Sequence, residues 1–223
     1  MGIVRGLAGL NKYIDNQSSN QGDQPKAHWV KLDDGQTVKI WFLQELDADS
    51  ENYNPNTGTA FLAVEHSNPK DYRKKALCTI EDEGACYGCE QARKHPRTGW
   101  KSRGRLYVNV LVDDGKTDPY VAILSQGTSD KTITPTLALF AGDAGTIMDS
   151  AFRIKRSGTG TATGYSLVPI AKSEGVDSND YELYNLEKIA TRYIPYGEQE
   201  DFYGVEESAP EEPKASASSA MEW

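Results

Sequence analysis

The sequence predicts a mainly β protein with few helices, built as a small barrel of the OB type, with a β-sandwich as the second choice. Three observations carry that expectation. Short segments alternate apolar and polar residues through the middle of the chain, three cysteines cluster between two of those segments, and both ends are too polar to join a core. A length of 223 residues gives one domain, at most two, with enough chain to bury a core without disulfide staples.

Residues 1–25 are polar and run out through Asn16-Gln17-Ser18-Ser19-Asn20-Gln21-Gly22-Asp23, which reads as a flexible arm with one short helix over 7–14. Residues 26–196 carry the folded pattern. In 38–42, Val38, Ile40 and Phe42 share one strand face and Lys39 and Trp41 the other. A second strand covers 61–64. A third, 105–112, turns Leu106, Val108, Val110 and Val112 inward and Arg105, Tyr107 and Asn109 outward. Residues 120–124 pair with it across Asp113-Asp114-Gly115, and 152–156 and 165–170 form a last hairpin around a Gly-rich turn. Asp180 reads as the N-cap of a helix with Leu183, Leu186, Ile189, Ala190 and Tyr193 at helical spacing. From 197 to 223 the chain is acidic and then Ala/Ser-rich, which reads as a disordered tail ending in Trp223. Five or six short strands fit barrel and sandwich alike, and periodicity does not separate them.

The net charge of −9 argues at face value against a nucleic-acid partner. Its distribution argues otherwise. From Glu198 to the end there are eight acids and one base, Lys214, which account for −7. Between Lys70 and Arg105 ten bases face five acids, a local +5. No apolar stretch is long enough to span a membrane, and no signal-peptide core follows Met1-Gly2-Ile3-Val4-Arg5-Gly6, so a soluble, intracellular protein is expected.

All three cysteines, Cys78, Cys86 and Cys89, fall within twelve residues. An odd count does not make a disulfide framework, and no βαβ pattern surrounds Cys86-Tyr87-Gly88-Cys89 to make it a redox motif. Thiolates at this spacing hold one tetrahedral Zn²⁺, given a fourth ligand. His66 precedes the group at the end of a strand and His95 follows it. His66 is preferred, because His95 sits beside Lys94, Pro96 and Arg97 in a stretch that reads as solvent-facing. Four protein ligands leave no open position for water, so the metal is structural, with the task of ordering a zinc subdomain over about 66–105.

The candidate binding surface interleaves aromatics with cations. Lys39 and Trp41 share one strand face, and Arg105, Tyr107 and Asn109 another. Tyr72 lies among Arg73, Lys74 and Lys75, Tyr87 is inside the knuckle, and Trp100 is followed by Lys101 and Arg103. Bases stack on such rings while cations track the phosphates of a single strand. No Ser/His/Asp arrangement or phosphate-binding Gly loop is present, so an enzyme is not expected.

Trp29-Val30-Lys31-Leu32, then Gly35-Gln36 and Ile40-Trp41-Phe42-Leu43, the ordered set His66, Cys78, Cys86, Cys89, and Leu106-Tyr107-Val108-Asn109-Val110-Leu111-Val112 together resemble the single-stranded DNA-binding (helix-destabilising) proteins of T-even-type bacteriophages. The similarity covers roughly residues 28–125 and weakens toward Tyr193. It implies an OB-fold with a zinc subdomain, and cooperative, largely sequence-independent coating of single-stranded DNA in phage replication, recombination and repair, within the cytoplasm of an infected bacterium. Trp41 stands where the family commonly has Arg, and the family's basic N-terminal arm is reduced here to Arg5 and Lys12. The tail residues Glu206, Glu207, Glu211, Glu212, Glu222 and Trp223 resemble those with which single-strand binders recruit a polymerase, helicase or primase. Two other readings stay open: an RNA-binding OB protein with a zinc knuckle, and a zinc-stabilised protein-interaction adaptor.

Overall fold

A computed structural model describes residues 26–204. In chain order its elements are β1 (Thr37–Phe42), β2 (Phe61–Ser67), β3 (Lys75–Leu77), α1 (Ile80–Glu83), α2 (Tyr87–Lys94), β4 (Arg103–Asp113), β5 (Tyr120–Gly127), α3 (Thr134–Ala144), β6 (Ala151–Ser157), β7 (Gly164–Pro169), α4 (Leu186–Ala190) and α5 (Tyr196–Tyr203). The chain divides into two compact units. The first takes the described residues up to Val64 with Arg103–Arg192, and the second takes Glu65–Ser102 with the described residues from Tyr193. The expected arm at 1–25, with its helix, lies outside the described residues. No helix among the described residues is long and apolar enough to cross a membrane.

The first unit is an antiparallel sheet in the order β2-β4-β1-β6-β7, with β5 also on β4. The eleven-residue β4 organises it. β5 runs along β4 from Arg105↔Gly127 to Val112↔Tyr120, while β1 pairs with its far end from Phe42↔Val110 to Lys39↔Asp113. β6 takes the other edge of β1 and closes a hairpin with β7. The hairpin turn contains Gly158 at φ 82, where a Cβ would lie 2.5 Å from the Ala162 carbonyl oxygen. Among the described residues β7 pairs with β6 alone, so the sheet is open and does not close into a barrel.

The alternation read in β1 holds. Val38, Ile40 and Phe42 are buried together with Val108, Val110, Leu124, Phe152 and Ile154. Phe152 meets Phe42 and Phe140 edge-on at 5.2 and 5.0 Å. Burying such rings contributes about 1.5–3 kcal/mol each. Helix α3 covers this face with Leu137 and stops at Gly145, which adopts φ 77.

The expected outward face of β4 is a correction. Tyr107 is 1% and Asn109 0% exposed. Trp29 and Phe61 flank the Tyr107 ring at 6.3 and 5.7 Å. Asn109 Nδ2 donates to Gln44 Oε1 and to the Tyr184 carbonyl, both at 3.0 Å, and its Oδ1 accepts from the Tyr184 N–H at 3.2 Å. Those two hydrogen bonds hold the chain extended at Tyr184, so the helix expected from Asp180 begins later and is shorter, keeping Leu186, Ile189 and Ala190 but not Leu183 or Tyr193. Ser178–Asp180 is one 3₁₀ turn, and α4 starts at Leu186, capped by Asn185 Oδ1 accepting from the Lys188 N–H.

In the second unit, β3 pairs with the end of β2 through Glu65↔Leu77, His66↔Ala76 and Ser67↔Lys75. Its core is small: Ala76, Tyr87, Trp100 and Tyr203. Tyr87 stacks on Tyr203 at 6.0 Å, and Trp100 stands edge-on to Tyr203 at 5.0 Å. Tyr203 belongs to α5, so residues 197–204 are folded, and the tail expected to begin at 197 does not begin there. Acidic residues on the exposed side of α5 hide two buried ones, Gln199 and Tyr203, each 1% exposed.

Candidate metal centre

Each ligand is delivered by a different local device. His66 lies on β2 beside the β3 pairing, and Cys78 follows β3 directly. Cys86 is the extended N-cap of α2, where backbone N–H groups favour its thiolate, and Cys89 lies in that helix's first turn. The four ligand atoms of His66, Cys78, Cys86 and Cys89 all lie within 4.8 Å of one another. Cys78 Sγ and Cys89 Sγ are 3.5 Å apart, and His66 Nε2 is 3.3 Å from Cys89 Sγ. A tetrahedron with metal–sulfur bonds near 2.3 Å has edges of about 3.8 Å. The cluster therefore fits a metal ion, and His66 rather than His95 completes it. His95 is exposed, at the C-terminal end of α2.

His66 is oriented for the task. Its Nδ1 donates to the Trp100 carbonyl at 2.7 Å, which leaves the Nε2 lone pair directed at the cysteines. Gly88 has its own reason to be glycine. A Cβ at this position would sit 2.3 Å from His66 Cγ and 2.7 Å from His66 Cβ. Gly88→Ala should therefore push the imidazole off the cluster and weaken metal binding about 10–100-fold, measured by competition with a chromophoric chelator.

The electrostatics describe a site that wants a cation. Burial pushes the Cys89 thiol up to about 12, and the neighbouring sulfurs add to the rise. Burial also raises Cys78. Burial opposes ionisation of Cys86 too, but the His66 hydrogen bond and the Cys89 and Thr79 backbone outweigh it and hold that thiol down to about 6. Burial disfavours the charged His66, yet its Cys86 and Trp100 hydrogen bonds raise it overall. Near pH 7.5 the metal-free site thus keeps protons on Cys78 and Cys89, and a metal must displace them. Loading should release at least two protons, and apparent affinity should fall about 100-fold per pH unit on acidification. Isothermal titration in buffers of different ionisation enthalpy would count them.

The remaining residues singled out in the sequence separate into five groups. Tyr72 is 67% exposed, and Lys70, Arg73, Lys101 and Arg103 are exposed, with Arg73 ion-paired to Asp71 at 2.9 Å. Half-buried Trp41 donates from Nε1 to the Glu174 carbonyl, and Lys39 Nζ lies 4.0 Å over its ring. Others are held in structural bonds: Lys74 to the Tyr203 carbonyl, Lys75 to buried Glu65, and Arg105 to Ser125 Oγ. Tyr87, Trp100, Tyr107 and Asn109 are buried, which removes them from any surface for stacking. The tail residues Glu206, Glu207, Glu211, Glu212, Glu222 and Trp223 lie outside the described residues. Sequence reasoning missed the Trp100 carbonyl and Gln199; a lone Gln in an acidic run carries no signal of burial.

Comparison with protein-family models, with curated protein sequences and with solved structures returns no match.

Proposed function

We propose that the chain is a zinc-stabilised protein that binds single-stranded DNA with little sequence preference. The observation that carries this reading is the surface of the metal-holding unit. Tyr72, 67% exposed, stands between exposed Lys70 and Arg73 on a loop whose ends are pinned beside the cluster. An exposed ring among cations gives bases a face to stack on and phosphates a counter-charge. In the first unit, Lys39 over Trp41 repeats that chemistry. Three thiolates and an imidazole are the donor set of a closed structural zinc site.

The fold that accompanies this reading is the OB type, a five-stranded and partly open barrel. Its support is β4, which serves β1, β2 and β5, strand sharing that curves a sheet. Coating of single strands during phage DNA replication, recombination and repair, and recruitment of a replication protein by the acidic tail, belong to the same proposal. The coating role rests on the resemblance over residues 28–125, and the recruitment on the likeness of Glu206 to Trp223 to the acidic tails of other single-strand binders.

Titration of the zinc-loaded chain with single-stranded oligonucleotides tests it. Tyr72→Ala is expected to weaken binding by about 1–3 kcal/mol, the value of one stacked base, with the thermal midpoint unchanged. Equal binding by Tyr72→Ala and the unaltered chain would remove Tyr72 from the interface. Tighter binding to poly-U than to poly-dT would favour an RNA ligand instead.

A further inference from the structure

Helix α5 is bonded to the immediate surroundings of every metal ligand. Gln199 Oε1 accepts from the N–H of Tyr87, next to Cys86, at 2.9 Å. Gln199 Nε2 donates to Thr79 Oγ1, next to Cys78, at 3.0 Å, and to the Ile194 carbonyl at 2.9 Å. Thr79 Oγ1 in turn donates to the Ala85 carbonyl at 2.7 Å, closing the loop between Cys78 and Cys86. The Tyr196 hydroxyl donates to Glu90, next to Cys89, at 2.7 Å, and the Tyr203 hydroxyl to the carbonyl of His66 itself at 3.3 Å. The Gln199 amide is 1% exposed and every one of its polar hydrogens and its oxygen is used.

We propose that Gln199 is a positioning residue for the metal and that α5 is a latch which the metal closes. The inference rests on reading His66, Cys78, Cys86 and Cys89 as a metal site. Without a cation, the thiol contacts, the Thr79–Ala85 hydrogen bond and the packing of Tyr87 are what remain to hold the Cys78–Cys86 loop to the start of α2, and these are too few to keep Thr79 and Tyr87 in place. Gln199 then loses its partners on both sides. An eight-residue helix without tertiary contacts does not persist in water. Coupling of this kind is reciprocal: docking of α5 must strengthen metal binding by the same factor as metal favours docking.

The test uses the full chain and Co²⁺ or Zn²⁺ alone. Chymotrypsin digestion followed by mass spectrometry reads cleavage after Tyr196, Phe202 and Tyr203, and the thiolate–Co²⁺ absorption band reads occupancy. Metal is expected to protect those three bonds. Gln199→Ala is expected to weaken Co²⁺ binding about 10–100-fold while keeping the band at saturation, with Gln199→Glu, which retains an acceptor for Tyr87, between the two. Equal cleavage with and without metal overturns the latch, and unchanged Co²⁺ affinity in Gln199→Ala overturns the positioning role. Absence of the Co²⁺ band in the unaltered chain overturns the metal reading and the latch together. The proteolysis uses the unaltered chain, so it decides the latch even if a variant does not fold.

Discussion

Stripping the metal with a chelator is expected to melt the second unit, Glu65–Ser102 with the described residues from Tyr193, while the first unit keeps its exchange-protected sheet. The second unit has about fifty described residues and a core of Ala76, Tyr87, Trp100 and Tyr203. A chain of that size rarely holds itself together by apolar burial alone. Metal binding at such sites contributes roughly 10–16 kcal/mol near neutral pH, as much as the whole stability of an ordinary domain. The first unit has a core of its own, which runs from Val38 and Phe42 through Val110 to Phe152. Hydrogen exchange resolved by peptide would show protection lost over 75–94 and 196–203 and retained over 105–112 and 151–157. Protection unchanged in the second unit after complete metal removal would refute this.

Trp100→Ala is expected to destabilise the second unit by about 3–5 kcal/mol, the cost of truncating a buried Trp. Trp100 is 5% exposed, meets both Tyr87 and Tyr203 edge-on, and supplies the carbonyl that orients His66. The sequence places the same residue among the stacking aromatics because Arg97, Lys101 and Arg103 surround it. Trp100→Ala and Tyr72→Ala therefore form a contrast. The first should lower metal affinity and thermal stability, whereas the second should lower only affinity for single strands. A Trp100→Ala protein of unaltered stability with weakened nucleic-acid binding would reverse the assignment.

The legible parts of this molecule are those whose environment is written in neighbouring residues. β1, β5, β6 and β7 are legible as strands, and with them the β4–β5 and β6–β7 pairings. The metal ligands are legible because thiolate chemistry needs few residue types at short spacing, and His66 was distinguishable from His95 by its flanking residues. β4 misleads because both faces are covered, the second by Trp29, Phe61 and Tyr184, each far away in sequence. α3 is hidden because it buries Leu137 and exposes Leu139 at 71%, which leaves no clear apolar stripe. α5 is hidden by composition: its acids face water, and a single Gln and a single Tyr carry its attachment.

We propose that a metal-organised basic surface binds single-stranded DNA. Fluorescence titration of the zinc-loaded and the zinc-stripped chain, with single-stranded and duplex oligonucleotides at a series of salt concentrations, tests it most directly. The loaded chain is expected to bind single strands more tightly than duplex. The slope of log K against log salt should be about −2 to −3, as for three or four phosphates neutralised on a single strand. The stripped chain should bind more weakly and with a shallower slope. Equal affinity for single strands and duplex, or a slope near zero with zinc in place, would contradict it.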